Sequence, residues 1–134
     1  MSDRYETLDV RVEENLCWLT LNRPEALNAM NRQLVNDLRG FLRELPTRRE
    51  IRVVVMKGAG RAFCAGLDLK EASGAADAGG ETNRVAGGMR QQRHISELVL
   101  MMRAAPQPFI ACVHGAASDP NPKSRSNSGV IFLI

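Results

Sequence analysis

Aromatic residues are scarce in this chain: one Trp, one Tyr and four Phe in 134 residues. That is too few to interleave rings with basic residues in the stacking platform that single-stranded nucleic acid favours. Basic residues outnumber acidic ones 18 to 15, for a net charge of +3. They are scattered, and only Arg48-Arg49 and the spaced Arg90, Arg93 and Arg103 hint at a patch. No nucleic-acid partner is expected. Cysteine is equally sparse. Cys17, Cys64 and Cys112 cannot all pair and show no C-x-x-C spacing, which argues against a disulfide scaffold and a thiolate zinc site. Each lies among apolar neighbours and reads as a buried, reduced thiol.

Other absences narrow the field further. The solitary His94 and His114 and the Glu13-Glu14 pair lack metal-ligand spacing, so no metal is expected and both histidines read as structural. The longest aliphatic runs are about five residues, as at 98–102, far short of a membrane span. The opening Met1-Ser2-Asp3-Arg4-Tyr5-Glu6 lacks the apolar stretch of a signal peptide. A soluble, cytoplasmic protein is the expectation. There is no Gly-Lys-Ser/Thr, which excludes a P-loop.

What is present is enough for a core: 44% of residues are hydrophobic, over a length that fits one domain. Leu8, Val10 and Val12 alternate with Asp9, Arg11 and Glu13, and the pattern resumes over residues 16–21 after Glu14-Asn15. This predicts an N-terminal hairpin, stopped at Pro24 because proline lacks the ladder donor. Leu34, Val35, Leu38, Phe41, Leu42 and Leu45 form one helical stripe, with Asn31 or Asn28 as N-cap and Pro46 as terminator. The β-branched run at 51–56 predicts a strand buried on both faces. Residues 73–88 are rich in glycine and alanine, have little to bury and are expected to be mobile. A second helix follows with Ile95, Leu98, Val99 and Met102 on one face, then a last buried strand at 109–113. The order β-β-α-β-α-β is an α/β pattern. Residues 118–128 offer no core residue apart from two prolines, and the apolar end at 129–134 reads as either a docked strand or an exposed one.

One segment carries chemistry. The strand at 53–56 runs into Lys57-Gly58-Ala59-Gly60-Arg61-Ala62-Phe63-Cys64-Ala65-Gly66-Leu67-Asp68-Leu69, a glycine-containing loop that turns into a helical start near Asp68. Backbone N–H groups at such a junction point outward and suit an anion or a developing oxyanion. A dinucleotide fingerprint fits poorly, since Phe63 stands where a third glycine belongs.

Three segments together resemble a known family. They are Asn22-Arg23-Pro24-Glu25-Ala26-Leu27-Asn28-Ala29-Met30-Asn31, the run from Arg52 to Leu69, and Pro106-Gln107-Pro108-Phe109-Ile110-Ala111-Cys112-Val113-His114-Gly115-Ala116-Ala117. In order and separation they are similar to the signatures of the crotonase superfamily, the enoyl-CoA hydratase/isomerase group. The resemblance implies an α/β, crotonase-like spiral of β-β-α units, assembled as homotrimers or hexamers. It implies an acyl-CoA thioester as ligand, with coenzyme A arriving as part of the substrate and no separate cofactor. By position, Glu25, Ala26 and Leu27 would contact the coenzyme A moiety, and Ala65, Gly66, Leu67, Asp68 and Leu69 would line the adenine and pantetheine path. The backbone N–H of Leu67 would be the first oxyanion donor. Asp68 reads as a cap of the following turn, not as an acid or base. The glycine and alanine stretch would lie near the acyl pocket as a lid or part of its wall.

The resemblance covers residues 5–117, about the front half of a family member, and 118–134 read as a divergent tail. Where the family's second oxyanion donor belongs, this chain has Asp119, Pro120 and Asn121, and proline has no backbone N–H. The hydratase glutamate aligns near Lys123, and the other catalytic carboxylate would fall past residue 134. The simultaneous change of composition points to a truncated product with a replaced tail, impaired or inactive in hydration. The alternatives are a non-catalytic acyl-CoA-binding or subunit-association fragment, and an RNA-binding member of the same fold family.

Overall fold

The computed structural model describes residues 4–74, 81–114 and 130–133. Leu8–Glu13 (β1) and Leu16–Leu21 (β2) pair antiparallel as the expected hairpin. Glu14 and Asn15 both take positive φ, 49° and 70°, which gives the turn a twist that matches the flanking strands. Asn15 also anchors the next strand's entry, donating to Glu50 O at 2.8 Å and accepting from Arg52 N at 2.8 Å.

Arg32–Glu44 (α1) realises the predicted stripe, burying Leu34, Val35, Leu38, Phe41 and Leu42. Each such side chain contributes roughly 1.5–3 kcal/mol on leaving water. Of the two candidate caps it is Asn31 whose side chain accepts from Leu34 N, at 2.8 Å. The helix yields at Glu44 to a tight turn, Leu45–Thr47, that accommodates Pro46.

Val53–Gly58 (β3) lies parallel to β2 on one side and to Phe109–Val113 (β4) on the other. It starts two residues later than the β-branched run, and Ile51 is buried in the connection ahead of it. Val130–Leu133 (β5) pairs antiparallel with β4, so the apolar end is a docked strand. The sheet order is β1-β2-β3-β4-β5. Leu19, Leu21, Val54 and Phe109 from the sheet meet Leu34, Leu38 and Phe41 of α1 in one core.

Two expectations about the helices need correction. The glycine and alanine stretch is helical at both ends: Leu69–Gly74 (α2) enters it, and Glu81–Ala104 (α3) runs through Gly87 and Gly88. Alanine is the best helix former, and a long helix absorbs two glycines at about 1 kcal/mol each. Residues 75–80 lie outside the described residues. On α3, Val99 is half exposed, and Ile95, Leu98, Met101 and Met102 face the core instead. The seam is thus rotated by about one residue and packs on α1, where Arg39 and Glu97 add a 3.2 Å ion pair.

Cys17 is buried as expected, but Cys64 and Cys112 are only partly so. Cys112 alternates to the face of β4 opposite Phe109 and Ala111, while Cys64 sits in the loop after β3. Among the described residues no helix is long and apolar enough to cross a membrane, and no three potential metal ligands cluster. Asp119, Pro120, Asn121 and Lys123 lie outside the described residues, as does the expected boundary at 117–118.

Candidate functional site

Two loops, one after each of the central parallel strands β2 and β3, build the site. The first leaves β2 at Pro24–Ala26, a single 3-10 turn closed by Ala26 N to Arg23 O at 3.0 Å and Leu27 N to Pro24 O at 3.2 Å. Leu27 and Asn28 follow with φ of 53° and 55°, two left-handed residues that reverse the chain. Such a conformation costs a leucine about 1–2 kcal/mol and an asparagine less. The surroundings of Asn28 supply the compensation. Its side chain is fully buried; its amide donates to Ala59 O at 2.9 Å and Ala62 O at 2.8 Å, and its Oδ1 accepts from Arg23 N at 2.8 Å.

The second loop follows β3 and is shaped by close backbone approach. A Cβ on Gly58 would stand 2.4 Å from Ala62 O and 2.5 Å from Phe63 O, so no side chain fits. Gly60, at φ 78°, would carry a Cβ only 2.9 Å from that of Pro24. The Gly60 carbonyl meets His114 Nε2 at 2.8 Å. Segments from all three family-like motifs therefore converge on residues 58–62.

Beyond Cys64 the second loop runs alongside the first. Ala65 N donates to Leu27 O at 3.0 Å, Met30 N to Gly66 O at 2.7 Å, and Asp68 N to Met30 O at 3.1 Å. This is a parallel bridge between Met30 and Leu67. In a parallel bridge the residue opposite the doubly bonded one turns its own N–H and C=O to the far side. Leu67 N–H accordingly points away from Met30, and no group among the described residues accepts from it. Gly66, at φ 94°, makes the corner just before it. Leu67 and Leu69 are themselves 40% and 74% exposed, two apolar residues open to solvent in the same segment.

Asp68 caps α2. Its Oδ1 accepts from Lys70 N and Glu71 N, both at 3.1 Å, while Oδ2 pairs with Arg23 Nη2 at 3.1 Å. Both side chains of this pair are largely shielded, at 15% and 12% exposure. The Glu71 N–H first, and the Arg23 guanidinium with it, hold the Asp68 carboxyl below the usual carboxylate range. Burial pushes the Cys64 thiol up, with the Gly66 N–H acting in the opposite direction.

The structure thus brings the sequence-selected residues Glu25, Ala26, Leu27, Ala65, Gly66, Leu67, Asp68 and Leu69 into one strip at the surface. Sequence reasoning missed Arg23, which ties the two loops together, and saw Asn28 only as a possible cap. Asn28 leaves a signal in retrospect: with Asn31 available as the cap, a second asparagine in an apolar stretch needs another task. Beside the strip, a hollow of about 530 Å³ between α1 and α3 is lined in part by Arg32, Arg90 and His94.

A family model described as enoyl-CoA hydratase/isomerase matches residues 16–117. The Mycobacterium leprae "Probable enoyl-CoA hydratase echA12" is 36% identical over 99 residues, covering 74% of this chain and 33% of the relative. The 1,2-epoxyphenylacetyl-CoA isomerase of Escherichia coli K12 is 36% identical over 107 residues, 80% of this chain and 39% of that one. The solved structure of Pseudomonas aeruginosa AtuE superposes with a TM-score of 0.72 at 39% identity, covering 83% of this chain and 41% of its own. The chain therefore spans a third to two fifths of the length of these relatives. A family match over residues 16–117, together with relatives 36% identical and a superposition at TM-score 0.72, has one conclusion: this chain belongs to the enoyl-CoA hydratase/isomerase family.

Proposed function

We propose that this chain binds an acyl-CoA thioester along the strip formed by Glu25, Ala26, Leu27 and Ala65, Gly66, Leu67, Asp68 and Leu69. The thioester carbonyl sits on the backbone N–H of Leu67, in chemistry of the enoyl-CoA hydratase/isomerase kind. The observation that carries this reading is the Leu67 N–H, which is turned outward and left without an acceptor among the described residues. A preorganised donor of that sort stabilises the enolate-like charge that forms on a thioester oxygen. Further support comes from the two sequence relatives, whose names, an enoyl-CoA hydratase and a 1,2-epoxyphenylacetyl-CoA isomerase, both specify a CoA thioester. The cations Arg32 and Arg90 in the adjoining hollow suit a ligand that carries phosphates.

Binding without turnover is the second reading, favoured by Pro120, which brings no N–H to the place where the resemblance puts the second donor. One missing oxyanion donor costs on the order of 10²–10³ in rate. Calorimetric titration of the purified chain with crotonyl-CoA, alongside a hydration assay, separates the readings. Saturable binding that Leu67→Pro abolishes and Leu67→Ala leaves in place is expected, with turnover more than about tenfold below a full-length relative. Retention of neither crotonyl-CoA nor coenzyme A would overturn the proposal. Salt-sensitive RNA capture would move the protein to the RNA-binding reading.

A further inference from the structure

We propose that Arg23 is a positioning residue that aligns and polarises the Leu67 N–H through two intervening peptide units. The inference rests on the reading of Leu67 as the oxyanion donor. A trans peptide holds its C=O and N–H antiparallel, so fixing one end of the unit fixes the direction of the other. The unit between Gly66 and Leu67 is held at its carbonyl by Met30 N, at 2.7 Å, which points the Leu67 N–H outward. Met30 N–H belongs in turn to the unit whose carbonyl is that of Ala29. That carbonyl accepts from Arg23 Nη1, and also from Asn31 N at 3.1 Å. The relay therefore runs from the guanidinium to Ala29 C=O, from Met30 N–H to Gly66 C=O, and from Leu67 N–H to the ligand.

Every dipole in this series points its positive end toward the ligand. Hydrogen bonds in series polarise one another, and a cation at the head raises the donor strength of the last N–H. Arg23 is well placed for the task. Its side chain is only 15% exposed, its Nη2 is pinned by Asp68 Oδ2 at 3.1 Å, and its own backbone N is held by Asn28 Oδ1 at 2.8 Å. The planar fork lets one group serve two acceptors. Gly66, at φ 94°, has the freedom to rotate the peptide plane, so the direction of Leu67 N–H has to be imposed from outside the loop.

The test uses crotonyl-CoA carrying ¹³C at the thioester carbonyl, bound to the whole chain and read by difference infrared spectroscopy. In the parent, binding lowers the carbonyl stretching frequency. Arg23→Gln, which keeps a neutral donor but loses the charge, is expected to lose about half or more of that shift with Kd within about fivefold. Arg23→Lys, which keeps the cation but not the fork, is expected to retain more than half. An unchanged shift in Arg23→Gln overturns the proposal, and so does joint loss of shift and binding that Arg23→Lys does not rescue. If Arg23→Gln does not fold, as judged by circular dichroism, Arg23→Lys decides alone: more than half the shift retained supports the relay, and less overturns it. A parent that binds crotonyl-CoA without any shift removes Leu67 as donor and the relay with it. A parent that does not bind at all overturns the underlying reading instead.

Discussion

Asn28 Nδ2 donates to the Ala62 carbonyl at 2.8 Å inside the protein, in a side chain with no exposed surface. Together with its bond to Ala59 O at 2.9 Å, this one amide fixes the loop after β3 against the loop after β2. Replacing it with alanine strands two carbonyls and the Arg23 N–H, and an unsatisfied buried group costs about 1–3 kcal/mol. Asn28→Ala is therefore expected to destabilise the chain by about 3 kcal/mol or more. Asn28→Gly should cost about 1 kcal/mol less, because glycine accepts the φ of 55° without strain. Urea denaturation of the two variants checks both values, and equal losses would show that the backbone conformation carries no cost.

Glycine positions divide by what a methyl group would meet. Gly58→Ala drives a Cβ into the Ala62 and Phe63 carbonyls, both backbone and unable to swing away. A loss of about 2–3 kcal/mol is expected, with weaker crotonyl-CoA binding as the loop shifts. At Gly87 on α3 nothing lies within 4 Å of the added carbon, so Gly87→Ala should stabilise by up to about 1 kcal/mol. Melting temperatures that move in the same direction for both variants would contradict this contrast.

Asp68 makes stability depend on acid. Its pKa is lowered in the folded chain, chiefly by the Glu71 N–H and then by Arg23. The stabilisation is fully present above the ordinary carboxylate value of 3.8 and is lost as pH falls through the lower folded value. Thermal melts of the parent between pH 6 and pH 2.5 should show a drop below about pH 4 that is shallower in Asp68→Asn. Parallel curves would remove Asp68 as a contributor.

The thiols should report the core. Cys17 has no exposed surface, and burial pushes its pKa up to about 11. A protonated, buried thiol is a poor nucleophile. In native buffer at pH 8 a disulfide reagent should modify Cys64 and Cys112 ahead of Cys17, which reacts only on unfolding. Because the folded pKa is raised, this thiol's stabilisation is complete below its ordinary 9.0 and fades as pH climbs toward about 11. Labelling of Cys17 at the rate of the other two would place it outside the core.

The elements that were legible in the sequence are those whose signal is local. The alternation around Val10 and Val12, the stripe from Leu34 to Leu45 and the β-branched run ahead of Gly58 each report their own burial pattern, because side-chain period follows backbone geometry. The motif residues around Gly66 also declared the loop after β3, with its corner at Gly66. The glycine and alanine stretch misled because composition describes what a segment can bury, while helix continuity depends on the flanking turns. Val99 misled because spacing allows several faces and only contact with α1 selects one.

What the sequence determined by itself was the family, the α/β order and the strip of candidate residues. What only the tertiary structure decided was how those residues are held. Arg23, Asn28 and Asp68 are 45 positions apart at the extremes, and no pattern along the chain says that they share hydrogen bonds. The direction of the Leu67 N–H is decided the same way. It is a property of the peptide plane, set by Met30 across a bridge between two loops, and a plane's orientation is written in three dimensions only.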